Sequence, residues 1–357
     1  MKKVLSILFL SLLSFITQVE ARNITYISQD DGKTWSLETG TVINNLSTKG
    51  AVDPSPILLK NNEILLYVLG SNNTSSDPGR SQPDDTWRII VARSNDDGKS
   101  FSQVGIAYSQ KEGMTDPFPL LLPTGEFKLY ISQGTNVFSA TSLDGITYKK
   151  DKGYRSKKKG GVPGALTLED GSVLLFVCKR RSPKLMKTDI IYLTSKDGMK
   201  FKTGGVALKA PQETSLCDPS PVVNPSGGYS MAYKKRKPAD SKDPKDDSIL
   251  IADSIDGKKW ITRNLTIGKG SVPGLVIDSK GVWHIYATGR IDPKNSKSQG
   301  NKKNKWNMFR KPPPKIQDCF LKFLTPEDLE ILSNGMKPKN KNLLEKANQA
   351  LKTCTKS

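Results

Sequence analysis

The sequence predicts an all-β protein, a five-bladed β-propeller closed by its own N-terminal strands, with a small α-helical appendage at the C-terminal end. Three observations predict it. A short turn motif recurs five times, a second motif interleaved with it also recurs five times, and the repeats begin and end out of phase. Self-similarity of this kind marks repeat architectures, whose units bury their apolar faces only against neighbouring units.

The turn motif reads Ser28-Gln29-Asp30-Asp31-Gly32-Lys33-Thr34-Trp35, with a near copy from Ser94 through Asp96 and Gly98 to Phe101. Shorter copies stand at Ser142-Leu143-Asp144-Gly145, Ser195-Lys196-Asp197-Gly198 and Ser254-Ile255-Asp256-Gly257, followed by Tyr148, Phe201 and Trp260. Each follows a β-type run such as Ile89-Ile90-Val91-Ala92. This is the chemistry of a hairpin turn: Asp accepts bonds from nearby amides, Gly takes a positive φ, and the aromatic ring packs back between strands.

The second motif appears as Asp53-Pro54-Ser55-Pro56, Asp116-Pro117-Phe118-Pro119 and Asp218-Pro219-Ser220-Pro221, with degenerate copies at Val162-Pro163-Gly164 and Val272-Pro273-Gly274. A turn and an apolar strand follow each copy, so every blade runs inner strand, second strand, third strand, Ser-x-Asp turn, outer strand. The chain opens with a third and outer strand, residues 24–37, and its repeats end with an inner and second strand, residues 275–287. Together those halves complete a fifth blade and remove the open edges that a truncated array would leave.

The propeller is expected over residues 22–291. Before it, Lys2 and Lys3, an apolar run and Val19-Glu20-Ala21 follow the order of a secretory signal peptide over residues 1–21. That run is shorter than the roughly 20 residues of a spanning helix, so the expected location is secreted or periplasmic, with no transmembrane segment and a monomeric state. After the propeller, residues 292–357 read as a basic linker and a helical tail, with Thr325-Pro326 starting one helix, Gly335 stopping it, and a second helix over residues 341–352. Four cysteines allow three pairings. Cys319 with Cys354 is favoured because both lie in the tail, which leaves Cys178 and Cys217 as a second disulfide or as two buried thiols. The formal charge of +20 points to an anionic partner or to a lysine-rich solvated surface. No zinc-finger spacing, phosphate loop or RNA-binding aromatic pattern accompanies it, so no specific nucleic acid is expected.

Propeller topology by itself sorts these residues. Inner-strand starts and second-strand ends share one face, and the Ser-x-Asp turns lie on the other. Asp53, Asp116 and Asp218 therefore belong at the mouth of the central channel, with Glu213 in the loop before Asp218. Gln133, Lys179, Arg180, Lys234, Arg236 and Arg290 join them from the second strands as substrate-binding candidates. Carboxylates gathered round one axis beside cationic and amide groups suit cleavage of a glycosidic bond, where one acid protonates the leaving oxygen and another carboxylate activates water or attacks the sugar. His284 is the single histidine and sits mid-strand, which fits packing rather than a Ser–His–Asp site. One histidine and scattered thiols predict no metal site, and no cofactor is expected.

Five blades with Asp-Pro at inner-strand starts resemble the five-bladed glycoside hydrolases of the arabinanase, xylosidase and invertase type, and the Ser-x-Asp turns resemble the Asp boxes of sialidases, where they are structural. The first resemblance implies Asp53 as base or nucleophile, Asp116 as an orienting carboxylate and Asp218 as the acid, with Glu213 as a further catalytic candidate. Two departures stand against it: Val162 occupies an inner-strand start where the arabinanase type has a carboxylate, and Asp218 stands where the family has Glu. The implied activity is hydrolysis of a terminal or short, acidic or neutral glycan. The alternative is a non-catalytic carbohydrate- or polyanion-binding propeller of the cell envelope.

Overall fold

A computed structural model describes residues 23–38, 41–48, 50–71, 86–182, 185–237, 239, 246–289, 319–332 and 340–354. The expected signal peptide, Arg290, the basic linker and Gly335 lie outside the described residues. The chain divides into two compact units, residues 1–290 and 291–357.

The first unit is a five-bladed propeller. Blade one holds inner strand β4 (Gly50–Leu58), β5 (Ile64–Ser71), β6 (Trp87–Ser94) and outer strand β7 (Ser100–Gln110). Blade two follows with β8 (Thr115–Leu121), β9 (Phe127–Gln133), β10 (Asn136–Ser142) and β11 (Lys149–Ser156). Blade three holds β12 (Gly161–Thr167), β13 (Val173–Ser182), β14 (Leu185–Ser195) and β15 (Lys202–Leu208). Blade four holds β16 (Ser215–Val223), β17 (Tyr229–Arg236), β18 (Asp247–Ser254) and β19 (Ile261–Lys269). Blade five joins the two ends of the repeat: β20 (Ser271–Ile277) and β21 (Trp283–Thr288) pair in sequence, and β1 (Asn23–Ser28) and β2 (Ser36–Leu37) add to them in the order β2-β1-β21-β20. Asn23 faces Thr288 and Ser28 faces Trp283 along that seam. The inner strands touch in a closed ring, β4–β8–β12–β16–β20–β4.

One strand was not expected. β3 (Val42–Asn44) lies parallel to β7 and widens blade one to five strands. It is too short to show a period-2 pattern, and only its neighbour defines it.

The Ser-x-Asp turns work as locks between blades. In the first, Ser28 Oγ accepts the Gly32 amide at 3.0 Å and Asp30 Oδ1 accepts the Thr34 amide at 2.8 Å. The turn glycine's carbonyl then faces the preceding blade. Tyr286 of blade five donates to Gly98 O at 2.9 Å, and Tyr130 of blade two donates to Gly198 O at 2.9 Å. Glycine is required there twice over, because Gly98 has φ +77° and a Cβ would overlap the Tyr286 hydroxyl. Apolar side chains fill the spaces between blades; Leu65, Tyr67, Leu69, Ile89 and Leu129 are all fully buried in one such layer.

The disulfide Cys178–Cys217 ties the second strand of blade three to the inner strand of blade four. In the second unit, helices α1 (Pro326–Leu332) and α2 (Lys341–Cys354) enclose Phe320, Leu324, Leu343 and Ala347, with Cys319 bonded to Cys354. Thr325 and Asp328 exchange reciprocal side-chain-to-amide bonds of 3.1 and 3.2 Å, a capping box that starts α1 as expected. No helix among the described residues is long and apolar enough to cross a membrane.

Candidate functional site

The five X-Pro motifs all make the same local structure. Asp53, Asp116, Val162, Asp218 and Val272 have φ of 54, 50, 56, 57 and 48°, and the pairing of every inner strand with its neighbour shifts register at that point. Each is a β-bulge with a left-handed residue, a conformation that costs a valine more than any other type present. Five identical bulges bring five X-Pro units round one axis. They line a well of about 250 Å³ whose empty space opens partly to solvent, and Asp116, Asp218, Val162 and Val272 stand on its wall.

A left-handed residue turns its amide out of its own sheet, and a buried amide needs an acceptor. In this ring the preceding blade supplies it. Ser132 Oγ takes the Val162 amide at 3.1 Å, Cys178 Sγ takes that of Asp218 at 3.3 Å, and Thr288 Oγ1 takes that of Asp53 at 2.8 Å. These three acceptors occupy one equivalent place, opposite the residue before X in their own blades. In blades one and four that place holds Leu69 and Lys234, neither of which can accept. There the aspartate itself reaches across: Asp53 Oδ2 takes the Asp116 amide at 3.4 Å and Asp218 Oδ2 takes the Val272 amide at 2.9 Å.

The three aspartates are thereby distinguished. Asp53 and Asp218 brace the ring. Asp116 does not, because Ser132 already serves the amide it would serve; its Oδ2 accepts the Thr115 hydroxyl at 2.6 Å. Asp218 is further held by Lys234 Nζ at 2.6 Å and by the Ser271 hydroxyl at 3.3 Å.

Three neighbouring carboxylates, Asp53 and Asp218 buried and Asp116 half-buried, disfavour one another's charge in a poorly solvated site. Burial raises Asp53 well above the ordinary carboxylate range, and the charges of Asp116 and Asp218 add to the effect. Asp116 is pushed up to about 6, again by burial first and Asp218 second. Burial works against the charge of Lys234, but Asp218 and Asp247 outweigh it and raise its pKa.

The remaining expected residues divide. Arg236 ends β17 and is engaged bidentately by Asp247 at 2.6 and 2.8 Å. Lys179 and Arg180 are exposed on the β13–β14 hairpin, which runs beyond the bulge. Gln133 ends β9 and accepts the Tyr154 hydroxyl at 3.1 Å. Glu213 is exposed on the loop before β16, whereas Asp218 is buried. His284 is buried as expected, with Nε2 3.1 Å from Asp278 Oδ2. Thr115, Ser132, Ser271 and Thr288 shape the ring and were not foreseen, nor was Arg181, which pairs bidentately with Asp189 at 2.6 Å. The only signal of the four hydroxyl residues was a small polar side chain near a strand end, which is too common to single them out.

No family model matches the chain, and no curated protein matches it. Among solved structures, the endo-arabinase from Bacteroides thetaiotaomicron VPI-5482 superposes with a TM-score of 0.51 at 13% identity, covering 68% of this chain and 95% of that one. A thermostable family-43 glycoside hydrolase gives a TM-score of 0.51 at 15% identity, covering 66% of this chain and 83% of that one. At such identities the likeness is one of fold, and the fold is the five-bladed propeller that those two glycoside hydrolases also use.

Proposed function

We propose that this chain is an exported propeller of glycoside hydrolase type that cleaves a terminal or short unit from a glycan at the central well. The observation that carries the reading is the pairing of Asp53 and Asp116. Two carboxyl groups on adjacent blades, Asp53 buried and Asp116 half-buried on the wall of the well, are both raised, the first well above the ordinary range and the second to about 6. Groups pushed apart in this way divide acid from base work at neutral pH. The pair shares one proton, with Asp53 retaining it as acid and Asp116 ionised as base or nucleophile. This reverses the roles that resemblance alone implies, where Asp53 is the base and Asp218 the acid. Asp218, ion-paired to Lys234, serves as the fixed charge that holds the pair's surroundings.

The test is turnover of a panel of aryl glycosides by the wild-type protein and by Asp116→Asn. The variant should keep its circular dichroism spectrum and lose at least about a hundredfold in kcat, the scale of an acid–base contribution. Undiminished turnover in a folded Asp116→Asn protein would remove Asp116 from the mechanism.

A further inference from the structure

The place opposite the residue before each bulge holds Ser132, Cys178 or Thr288 as a neutral acceptor, or Leu69 as an alkyl chain, but in blade four it holds Lys234. Lys234 Nζ joins blade four to blade five. It lies 2.6 Å from Asp218 Oδ2 and donates to the Ser271 hydroxyl at 3.0 Å. That hydroxyl donates in turn to Asp218 at 3.3 Å, which closes a triangle of contacts. The side chains of Asp218 and Lys234 are only 3% and 15% exposed, so solvent and salt screen the pair little. The other charges about Lys234 are those of Asp247 and Arg236, which pair with each other at 2.6 Å. Asp116 and Asp218 line the central well, and Lys234 does not. A lysine held in this way can act on the well only through its charge.

The two ends of a poorly screened ion pair act on a third group with opposite sign. Asp116, half-buried on the wall of the well, feels Asp218 from β16 and Lys234 from β17, and it is coupled to Asp53 on β4. β12 and β20 bring the uncharged Val162 and Val272 to the same ring. Burial raises Asp116 most and the charge of Asp218 adds to it, while the Thr115 hydrogen bond and then the charge of Lys234 oppose the rise. We infer that Lys234 is a positioning residue: through its ion pair with Asp218 it offsets that neighbouring carboxylate and keeps Asp116 able to work as an anion. The inference rests on the base or nucleophile reading of Asp116 above, and adds the group that makes it workable near neutral pH. It takes the place of substrate binding by Lys234, whose ammonium Asp218 and Ser271 already occupy.

The test is an NMR titration of the full-length protein with isotope-labelled aspartate carboxyls, in which Asp116 is the signal missing from Asp116→Asn. Asp218→Asn removes the negative end of the pair and keeps an oxygen for the Val272 amide. It should lower the Asp116 midpoint by about one pH unit. Adding Lys234→Met to that variant removes the positive end and should bring the midpoint at least halfway back. A lysine that serves packing alone gives another result: the double variant titrates as Asp218→Asn does, and that outcome overturns the inference. An Asp116 midpoint unmoved in both variants overturns it too. If Asp218→Asn fails to fold around an unpaired ammonium, the double variant, a neutral replacement of the whole ion pair, decides against the wild type. A fall of less than about half a pH unit then supports the inference, and a fall of about one pH unit overturns it. Where aryl glycosides are cleaved, the acid limb of kcat/KM should follow the same two steps. If none is cleaved, the hydrolase reading falls while the titration still reports what Lys234 does to Asp116.

Discussion

A single side chain in the inner ring can hold the fold, the chemistry, or both. Asp53 holds the fold by accepting the Asp116 amide, and the proposed mechanism gives it the chemistry as well. Asp53→Ala leaves that buried amide without an acceptor and should cost about 1–3 kcal/mol in chemical denaturation. Asp53→Asn keeps an acceptor and should cost much less, while removing the acid. Asp116→Ala frees no backbone group and should fall nearer the second variant than the first. Buried, raised carboxyls also set a pH dependence. The native state binds protons at Asp53 and Asp116 more tightly than the unfolded chain does, so their contribution is complete below the unfolded value of 3.8 and is lost as pH rises through about 6 and beyond. The turn aspartates act in the opposite direction; Asp197 is held at about 2 by the amides of Lys200 and Met199, and its contribution is lost on acidification. Thermal stability should therefore peak near about pH 4 and fall from there through about pH 6, and Asp116→Asn should flatten that fall. A Tm that rises steadily from pH 4 to pH 8 would contradict this assignment.

At the scale of the strand, the inner motif varies for a steric reason. The position two residues after the bulge holds Ser55, Phe118 and Ser220 in blades one, two and four, but Gly164 and Gly274 in blades three and five. A Cβ at Gly164 would overlap the Pro219 carbonyl, and one at Gly274 the Pro54 carbonyl. The degenerate Val-Pro-Gly copies are thus fitted to their neighbours rather than decayed. Gly164→Ala or Gly274→Ala should lower stability by about 1–3 kcal/mol or more through overpacking, measured by the denaturation midpoint. The same ring logic explains an orphan. Ser220 Oγ accepts the Leu275 amide at 2.9 Å, whereas Ser55 Oγ is buried without a partner because Pro119 stands at the equivalent place in the next blade. These relations were illegible beforehand. Each joins residues of adjacent blades, and nothing local to either strand records which residue the neighbour will present.

For the molecule as a whole, closure is the organising fact, and β1 supplies it by pairing with β21. The disulfide Cys178–Cys217 adds a covalent tie between blades three and four beside Asp218. Opening a loop of that length should cost about 2–5 kcal/mol. Cys178→Ser retains an acceptor for the Asp218 amide and should be milder than Cys178→Ala, which loses both the tie and the hydrogen bond. Equal midpoints for the two variants would show that the amide bond contributes nothing.

The sequence favoured Cys319–Cys354 and left Cys178 and Cys217 open between a disulfide and two buried thiols, a choice that the fold closes by bringing the two together across blades three and four. Blade number, strand order and the closing pair were readable from residue order. They depend on short-range chemistry repeated in phase, and repetition makes a weak local signal strong. The presence of Asp53, Asp116 and Asp218 in one channel followed from the same topology. Their division of labour did not. Which aspartate braces the ring and which stands free depends on whether Leu69, Ser132, Cys178, Lys234 or Thr288 lies across the gap between blades. Burial, which raises the carboxyls, arises only when five inner strands meet. Hydrogen-bond geometry and desolvation are properties of the closed ring, and no segment of the chain possesses them alone.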